Sequence, residues 1–332
     1  MLPVAMTAGA SCFVIYHYIP SLHRFGPALS QTVSFLQPAL IFAMLFLTFC
    51  RIEPKDLKPH RWHWWLLLIQ GGTFTLLGLL AVWLMRLFPE NTCGLPVLVE
   101  SAMLCLICPT ATAAAVVTRK LGGDVPGITT YTILINLVTA VLVPLIVPLI
   151  HPMSGLNFYH AFSLIMSKVF PLLIMPCLAA WLVRYLFPKF HRWLLKFPDL
   201  AFYLWAFALT LAIAVTTKSI FASQMSVSML LLMALISLLC CILQFALGRY
   251  VGRCYRPCRI PADLSCHPER QRRISSGNIR EVTAGQALGQ KNTVFAIWMG
   301  YTFMTPETAI VGGLYSIWHN LYNSHQLRRS IK

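Results

Sequence analysis

The chain has 332 residues, of which 58% are hydrophobic and only 11% are charged, and its mean hydropathy is +0.69. Since soluble domains carry about 25% charged residues, this composition excludes an ordinary soluble protein and indicates one that crosses the membrane several times. The formal net charge is +16. We expect these cations to interact with an anionic lipid bilayer and not with a nucleic acid.

Hydrophobic stretches follow one another along the whole chain. A helix that crosses a hydrocarbon core of about 30 Å needs about 20 mostly apolar residues. The stretches are continuous and rich in Leu, Ala and Val, whereas the strands of a membrane β-barrel alternate apolar and polar residues. The predicted fold class is an all-α membrane protein with ten transmembrane helices, at approximately residues 1–19, 32–50, 62–87, 95–118, 126–150, 159–187, 200–217, 226–250, 284–303 and 305–323.

Lysine and arginine predict the orientation of these spans. Of the 26 lysines and arginines, 21 lie between spans two and three, four and five, six and seven, and eight and nine, or in the C-terminal tail. Cytoplasmic loops collect these residues. We therefore expect a multi-pass protein of the cytoplasmic (inner) membrane with both termini in the cytoplasm.

The ten spans divide into two sets of five with opposite orientation. This division predicts two inverted five-helix repeats, residues 1–150 and residues 151–332. The second repeat contains a hydrophilic insertion, 253–283, which lacks helical or strand periodicity and is expected to be poorly ordered. Within it, the unusual spacing of Cys254, Cys258, Cys266 and His267 favours a solvated loop over a zinc site.

The fourth span of each half contains a predicted interruption. Transporters with inverted repeats bind their cargo near the midplane, where interrupted helices expose backbone groups. In the first half, "CPTATAAAVVT" places Pro109 inside an apolar run, where proline breaks a helix. In the second half, "GQALGQKNT" contains Gly285 and Gly289, which permit unwinding. We expect spans four and nine to be broken helices.

Three motifs together resemble the bile acid/sodium symporter family: "CPTATAAAVVT" with its following "GGD", "GQKNT" in span nine, and "GLYSIWHNL" in span ten. The resemblance covers nearly the whole chain outside the insertion. It implies a panel domain from spans one, two, six and seven, and a core domain from the other spans, in which spans four and nine cross. It also implies a secondary transporter of a small organic anion, a carboxylate or a bile-acid-like molecule, that works by alternating access.

The resemblance also implies roles for individual residues. Matching positions in the motifs place the cargo-binding residues on the crossing spans and on span ten. They place a cation or coupling site nearby. The substrate-binding set is Thr112, Asn292 and Asn320 with their neighbours Gln290 and Thr293, and the cation-site set includes Lys291, Gln70 and Thr132.

The sequence departs from the family where sodium would bind. Ala114, Ala115, Ala287 and Ile128 stand at positions where the family has sodium ligands, and Lys291 replaces a glutamine. An ammonium at 4 Å repels a sodium ion by about 4 kcal/mol at an effective dielectric of 20. Our hypothesis is that the Lys291 ammonium takes the place of the ion. A lysine that extends to the headgroups from the end of span nine is the alternative.

Glu100 is the one acidic residue well inside a span. It is interpreted as a proton carrier, as a partner of Lys291, or as a residue near the outer vestibule.

The favoured function is therefore an organic-anion transporter without sodium coupling, without a bound metal or other cofactor, and with proton coupling left open. An ordinary sodium/organic-anion symporter and a membrane sensor that does not transport are the alternatives. An enzyme is disfavoured because no span carries a nucleophile–base pair or paired carboxylates.

Overall fold

The computed structural model describes residues 2–87, 94–153, 155–197, 199–223, 225–255 and 276–331, and all regular secondary structure in these ranges is helical. Two short 3₁₀ helices, Pro20–Phe25 and Pro54–Asp56, accompany the α-helices. The α-helices are α1 (Leu2–Tyr18), α2 (Gly26–Cys50), α3 (Arg61–Leu87), α4 (Leu95–Ile107), α5 (Ala113–Lys120), α6 (Val125–Ile150), α7 (Phe158–Leu173), α8 (Met175–Leu186), α9 (Pro188–Leu195), α10 (Leu200–Ala222), α11 (Val227–Cys254), α12 (Ser276–Gly289), α13 (Thr293–Phe303) and α14 (Pro306–Ile331).

Several of these helices are long and apolar enough to cross a membrane, which indicates a multi-pass membrane protein. Two further apolar helices, α4 and α13, are too short to cross alone. The number of ten spans stays a prediction. The six candidate spans in the described part of the chain are Pro20–Cys50, Arg61–Leu87, Val125–Ile150, Phe158–Leu186, Leu200–Ala222 and Val227–Cys254.

Three predicted spans are divided into two helices each. Span four consists of α4 and α5, with residues 108–112 between them, and span nine consists of α12 and α13, with residues 290–292 between them. A third division, between α7 and α8 at Ile174, did not follow from the sequence analysis. Pro171 and Pro176 flank it, and each removes a backbone donor from the helix.

Following the resemblance, we divide the main helices into two groups. The first helix group consists of α1, α2, α7, α8 and α10, and the second consists of α3 to α6 and α11 to α14. Contacts also cross between the groups, from α7 to α6 and from α10 to α14. These groups contain the helices that the resemblance assigns to the panel and the core, while the inverted repeats stay a prediction. One hydrophobic core joins the groups, since Ile41 and Met44 of α2 belong to the same buried cluster as Phe295 of α13.

The described ends of the predicted insertion 253–283 continue into the neighbouring helices. Helix α11 continues to Cys254 and α12 already begins at Ser276, while residues 256–275, including Cys258, Cys266 and His267, lie outside the described residues. The physical reason is close helix packing. A Cβ atom at Gly248 would lie 2.4 Å from the Ala284 carbonyl oxygen, and one at Gly252 would lie 2.5 Å from that of Arg280. Small residues four positions apart let the two backbones touch.

This packing predicts that Gly248→Ala destabilises the protein. Because the new methyl group meets backbone atoms that cannot rotate away, we expect a loss of about 1–3 kcal/mol in the free energy of unfolding. Gly72→Ala is the matched control, since a Cβ atom there meets nothing within 4 Å and alanine has the higher helix propensity. Thermal unfolding of both purified variants checks this. Equal melting temperatures would contradict the proposed contact.

Candidate functional site

The two interrupted helices meet at their breaks. Residues 108–112 and 290–292 run antiparallel, with a bridge between Thr110 and Lys291. The amide of Ala111 donates to the carbonyl of Gln290 at 2.9 Å, and the amide of Asn292 donates to the carbonyl of Pro109 at 2.8 Å. This short backbone pairing satisfies groups that a continuous helix would have paired internally.

Side-chain amides cap the carbonyl end of α4. Gln70 Nε2 donates to the carbonyls of Ile107 and Cys108, at 3.1 and 2.9 Å, and Gln70 Oε1 accepts from the Tyr131 hydroxyl at 2.8 Å. Thr139 Oγ1 also donates to Ile107, at 3.2 Å. Gln70, predicted at a cation site, is therefore a capping residue of the broken helix in this structure.

Lys291 completes this cap with its side-chain nitrogen. Its Nζ donates to the Leu106 carbonyl at 3.2 Å, and its side chain is only 1% exposed. The carboxyl end of a helix carries a partial negative charge that an ammonium complements. Among the described residues no carboxylate forms an ion pair with Lys291. A lysine buried in this way does not extend to the lipid headgroups.

The carbonyl end of α12 is capped by neutral hydroxyls instead. Thr110 Oγ1 donates to the carbonyl of Ala287 at 2.7 Å, and the Tyr315 hydroxyl donates to that of Gly289 at 2.8 Å. Gln244 Nε2 donates both to the Cys105 carbonyl, at 3.2 Å, and to the Tyr315 hydroxyl, at 3.1 Å. One chain of hydrogen bonds therefore joins the two helix ends, and only the end of α4 receives a lysine side chain.

Gly289 has a different role from the predicted one. Its φ angle is not positive, so the interruption does not depend on glycine's backbone freedom. A Cβ atom there would lie 2.4 Å from Cγ of Phe245. Gly289 is needed because the Phe245 ring packs directly against the backbone.

The residues that the resemblance places at sodium-ligand positions lie together. Ala114, Ile128 and Ala287 belong to one buried hydrophobic cluster, and Ala115 packs against it. The side chains at these four positions are all hydrocarbon, so none of them offers an oxygen ligand to a cation.

Several other predicted site residues lie in or next to the crossing. Asn292 Oδ1 accepts from the Phe295 amide at 3.2 Å and so caps the start of α13, which begins at Thr293. Gln290 is buried, and its Oε1 has no hydrogen-bond partner among the described residues.

Thr132 and Asn320 form hydrogen bonds within their own helices. Thr132 Oγ1 donates to the Ile128 carbonyl at 2.9 Å, and Asn320 Nδ2 donates to Ser316 Oγ at 3.4 Å.

Glu100 pairs with a histidine and not with Lys291. Its Oε2 lies 3.0 Å from His151 Nε2 and accepts from Thr308 Oγ1 at 3.3 Å. Glu100 is six residues before Leu106 on α4, which places it about 9 Å along the helix from the carbonyl that Lys291 binds. The interpretation of Glu100 as the partner of Lys291 does not fit this arrangement.

Two cavities lie between the helix groups. The arginine-side cavity, of about 320 Å³, is lined by Thr48 and Arg51 of α2 and its end, and by Thr112 and Arg119 around α5. The lysine-side cavity, of about 830 Å³, is lined among others by Gln37 of α2. Leu40, Met44 and Leu47 lie between Gln37 and Thr48 on α2 and are buried. The two cavities are therefore separated by apolar packing.

Arg51 and Arg119 face the arginine-side cavity from the two helix groups, and the carboxylates of Asp56 and Asp199 line it as well. Partial burial and the neighbouring Arg119 guanidinium lower the pKa of Arg51, and the Asp199 carboxylate opposes this shift. Thr112 is the one predicted substrate-binding residue among those that line the cavity.

Sequence reasoning missed most of the capping residues. Each is a polar side chain within an apolar run, which was the available signal, but nothing in the sequence says which carbonyl it faces. They are Thr110, Tyr131, Thr139, Gln244 and Tyr315.

The apolar helices and the crossing of two interrupted helices define a multi-pass membrane protein of the transporter class. The model of the SBF-like CPA transporter family matches residues 7–327, and the chain belongs to this family. The family is related to the bile acid/sodium symporters, so the predicted relationship is confirmed at this broader level. Membership suggests a membrane transporter and not an enzyme. A comparison with curated proteins finds no match.

The capping of α4 predicts a large effect of Gln70→Leu. The substitution leaves the Cys108 carbonyl and the Tyr131 hydroxyl without their partners in a buried site, so we expect the free energy of unfolding to fall by about 2–3 kcal/mol. Tyr131→Phe, which removes one hydroxyl, should cost about 1 kcal/mol. Gln31→Leu, at an exposed position of α2, is the control. Chemical denaturation of the three variants gives the order of their free energies of unfolding. A Gln70→Leu protein as stable as the control would refute the prediction.

Proposed function

We propose that this protein is a secondary transporter of a small organic anion that works without sodium, and that the Lys291 ammonium occupies the place of the coupled ion. The bond between Lys291 Nζ and the Leu106 carbonyl carries this proposal. In transporters with interrupted helices, the carbonyl ends of half-helices coordinate the cation. Here a cation attached to the chain binds such an end.

The surroundings of Lys291 support the same conclusion. Sodium needs several oxygen ligands, while Ala114, Ile128 and Ala287 are packed in a hydrophobic cluster. A second cation beside the buried ammonium would also be repelled, by about 4 kcal/mol at 4 Å and an effective dielectric of 20. Both the missing ligands and the repulsion disfavour a sodium site at this crossing.

Transport by alternating access accounts for the two cavities. In the proposal, the ten spans form two inverted repeats, and the first helix group rocks as a panel against the second helix group as a core. The protein lies in the inner membrane, and the end that carries Arg51 and Arg119 faces the cytoplasm. Thr112 and the neighbouring guanidinium groups meet the cargo anion there, and Asn292, Gln290, Thr293 and Asn320 are the further cargo residues.

Glu100 is the group that would couple transport to protons, because it is a buried carboxyl group whose histidine partner is partly exposed. The proposal does not require that coupling.

The first experiment measures thermal stability of the purified protein in sodium chloride and in potassium chloride at equal ionic strength. A ligand that binds only the folded state raises its stability by mass action, by about 2.7 kcal/mol at one hundred times the dissociation constant. We expect equal melting temperatures in the two salts. A higher melting temperature in sodium alone would restore the ordinary sodium symporter.

Two substitutions at one position sharpen this test. Lys291→Gln and Lys291→Met both remove the ammonium, but only glutamine adds a side-chain oxygen next to the Leu106 carbonyl. We expect sodium-specific stabilisation of about 1 kcal/mol in Lys291→Gln and none in Lys291→Met. Lys189→Met, at an exposed position of α9, controls for the loss of a charge. If sodium stabilises neither variant, the missing ligands alone exclude the ion and the ammonium is not what excludes it. Equal stabilisation of both variants would contradict the role of the glutamine oxygen.

A further inference from the structure

A groove lies between α11 and α14 on the outer surface of the second helix group. Its volume is about 300 Å³, and its lining includes Ile242, Phe245, Ala246, Arg249 and Arg253 of α11 and Tyr322 of α14. We call it the α11–α14 groove. None of the described residues that line it is Asp or Glu, and none of them lines either of the two cavities. The groove is therefore a positive site apart from those cavities.

The face of α11 that leads to this groove is apolar along most of its length and basic at its end. Positions 235, 239, 242, 246, 249 and 253 follow one another in alternating steps of four and three residues, so they lie on the same face. Leu235, Leu239 and Ile242 are each at least 50% exposed, and Ala246 is exposed as well. In a multi-pass membrane protein, exposed leucines contact lipid tails, which are as apolar as they are.

The length of this apolar strip matches one leaflet of a bilayer. Leu235 and Ala246 are 11 residues apart, which corresponds to about 17 Å along a helix. Half of a hydrocarbon core of about 30 Å is about 15 Å. An acyl chain that lies along the strip therefore brings its headgroup to Arg249 and Arg253.

The basic end of α11 lies at the end of the protein that carries Arg119. A Cβ atom at Gly252 of α11 would lie 2.5 Å from the Arg280 carbonyl oxygen of α12. The Asp124 amide donates to Thr283 Oγ1, also of α12, at 2.8 Å. The end of α11, the start of α12 and the segment after Arg119 thus lie together. The excess of lysine and arginine at this end predicts the cytoplasmic leaflet, whose surface is negative because of its anionic lipids.

The Arg249 side chain is positioned by two neighbouring helices. A Cβ atom at Gly285 of α12 would lie 2.8 Å from Arg249 Cγ, and the guanidinium carbon lies 5.7 Å from the centre of the Tyr322 ring of α14. Arg249 is half-buried, and no described carboxylate forms an ion pair with it. A partly desolvated guanidinium without a counter-charge attracts an anion more strongly than one in water does.

Arg253 lies one helical turn after Arg249. Its Nη2 donates to Glu281 Oε1 at 2.7 Å, and its side chain is 57% exposed. This bond uses one of the five guanidinium donors. Two guanidinium groups on one helix face can hold the oxygens of a single phosphate with paired hydrogen bonds. Glu281 reduces the positive charge of the arginine pair but does not cancel it.

We propose that the α11–α14 groove binds one anionic phospholipid of the cytoplasmic leaflet, with its phosphate between Arg249 and Arg253 and one acyl chain along Leu235, Leu239 and Ile242. Two cations at the end of an apolar strip of leaflet length favour this occupant over a free phosphate ion, which would use only the arginines. A zwitterionic lipid would bring a cation of its own to them. The inference does not depend on the proposed transport function, since no residue of the groove lines either cavity.

Native mass spectrometry of the full chain, released from detergent micelles that contain a defined lipid, tests the proposal. The probes are dioleoylphosphatidylglycerol, which is anionic, and dioleoylphosphatidylcholine, which is zwitterionic and has the same acyl chains. We expect the first phosphatidylglycerol to bind about tenfold or more tightly than the first phosphatidylcholine. The double variant Arg249→Met/Arg253→Met should lose this preference and keep the affinity for phosphatidylcholine. Equal affinity of the native protein for the two lipids would overturn the proposal.

The matched control for the single variant Arg249→Met is Arg192→Met, which loses the same charge from an exposed position of α9. It lies at the same end of the protein as Arg51, because His191 Nε2 donates to the Cys50 carbonyl at 2.7 Å. Arg192→Met should bind both lipids as the native protein does. If it weakens phosphatidylglycerol binding as much as Arg249→Met does, diffuse surface charge explains the preference and the proposal fails.

Glu281→Gln is a variant whose expected effect cannot result from unfolding. It removes the negative charge beside Arg253, so phosphatidylglycerol should bind several fold more tightly. An unchanged or lower affinity in a variant with the native melting temperature would contradict the position of the phosphate between the two arginines. Melting temperatures of the arginine variants identify any loss of binding that unfolding causes.

Two soluble competitors and one further variant separate a lipid site from a site for soluble anions. Inorganic phosphate and glycerophosphoglycerol, which is the headgroup without acyl chains, should not displace the lipid at millimolar concentration. Ala246→Trp places a bulky ring on the apolar strip and should weaken phosphatidylglycerol binding although both arginines remain. Displacement by inorganic phosphate, or full affinity in Ala246→Trp, would overturn the proposal. A protein indifferent to sodium that shows no lipid preference would retain the transport proposal and lose only this site.

Discussion

A helix that stops inside an apolar environment leaves backbone donors and acceptors that no water can satisfy, and each unpaired group costs several kcal/mol there. In the described part of the chain, α4 and α12 end in this way, and their breaks are paired with each other. The two hydrogen bonds between residues 109–111 and 290–292 hold the breaks at one place. The positions of Lys291, of the apolar cluster and of the two half-helix starts all depend on this pairing.

The pairing leaves the carbonyl ends of α4 and α12 to side chains, and they are treated differently. The end of α12 receives hydroxyls, whereas the end of α4 receives amides and an ammonium. A diffusible ion at such an end would contribute its charge only while bound. Under the proposed function the ammonium of Lys291 stays at this end throughout the transport cycle, so the crossing stays intact without an ion. The electrochemical gradient of sodium then has no route into the cycle through this site.

The sequence predicted the features that depend on local chemistry and on composition. The apolar runs indicated the spans, and Pro109 indicated the interruption because its ring conflicts with a helix wherever it occurs. Features that depend on distant partners were not predictable in the same way. The start of α12 was assigned to an insertion because the local sequence does not show the contacts that hold this helix. Those contacts come from Gly248 and Gly252 of α11. Gly289 was interpreted as a point of backbone flexibility, whereas the close contact with the Phe245 ring explains why glycine stands there.

The environment of Lys291 could not be decided from the sequence alone. Its identity and its place near the start of a span left two interpretations, an extended side chain in the headgroups or a buried cation, and only burial decides between them. The capping residues Gln244 and Tyr315 pose the same problem, because a polar side chain in an apolar run needs a partner that may come from any helix. Their partners became identifiable only when the ends of α4 and α12 were placed side by side.

Under the proposed function, charge also affects the movement of the two helix groups against each other. Arg51 belongs to the end of a helix in the first group and Arg119 to a helix in the second group, and both face the arginine-side cavity. Like charges on two bodies oppose the closing of the gap between them, and an anion between them reduces that opposition. A cargo anion would therefore favour the same closure that its passage requires. The buried charge of Lys291 is set apart from this effect, since it is not among the residues lining either cavity and its hydrogen bond lies within the second group. Under the proposed function, the charge that holds the crossing together and the charge that meets the cargo are thus carried by different residues.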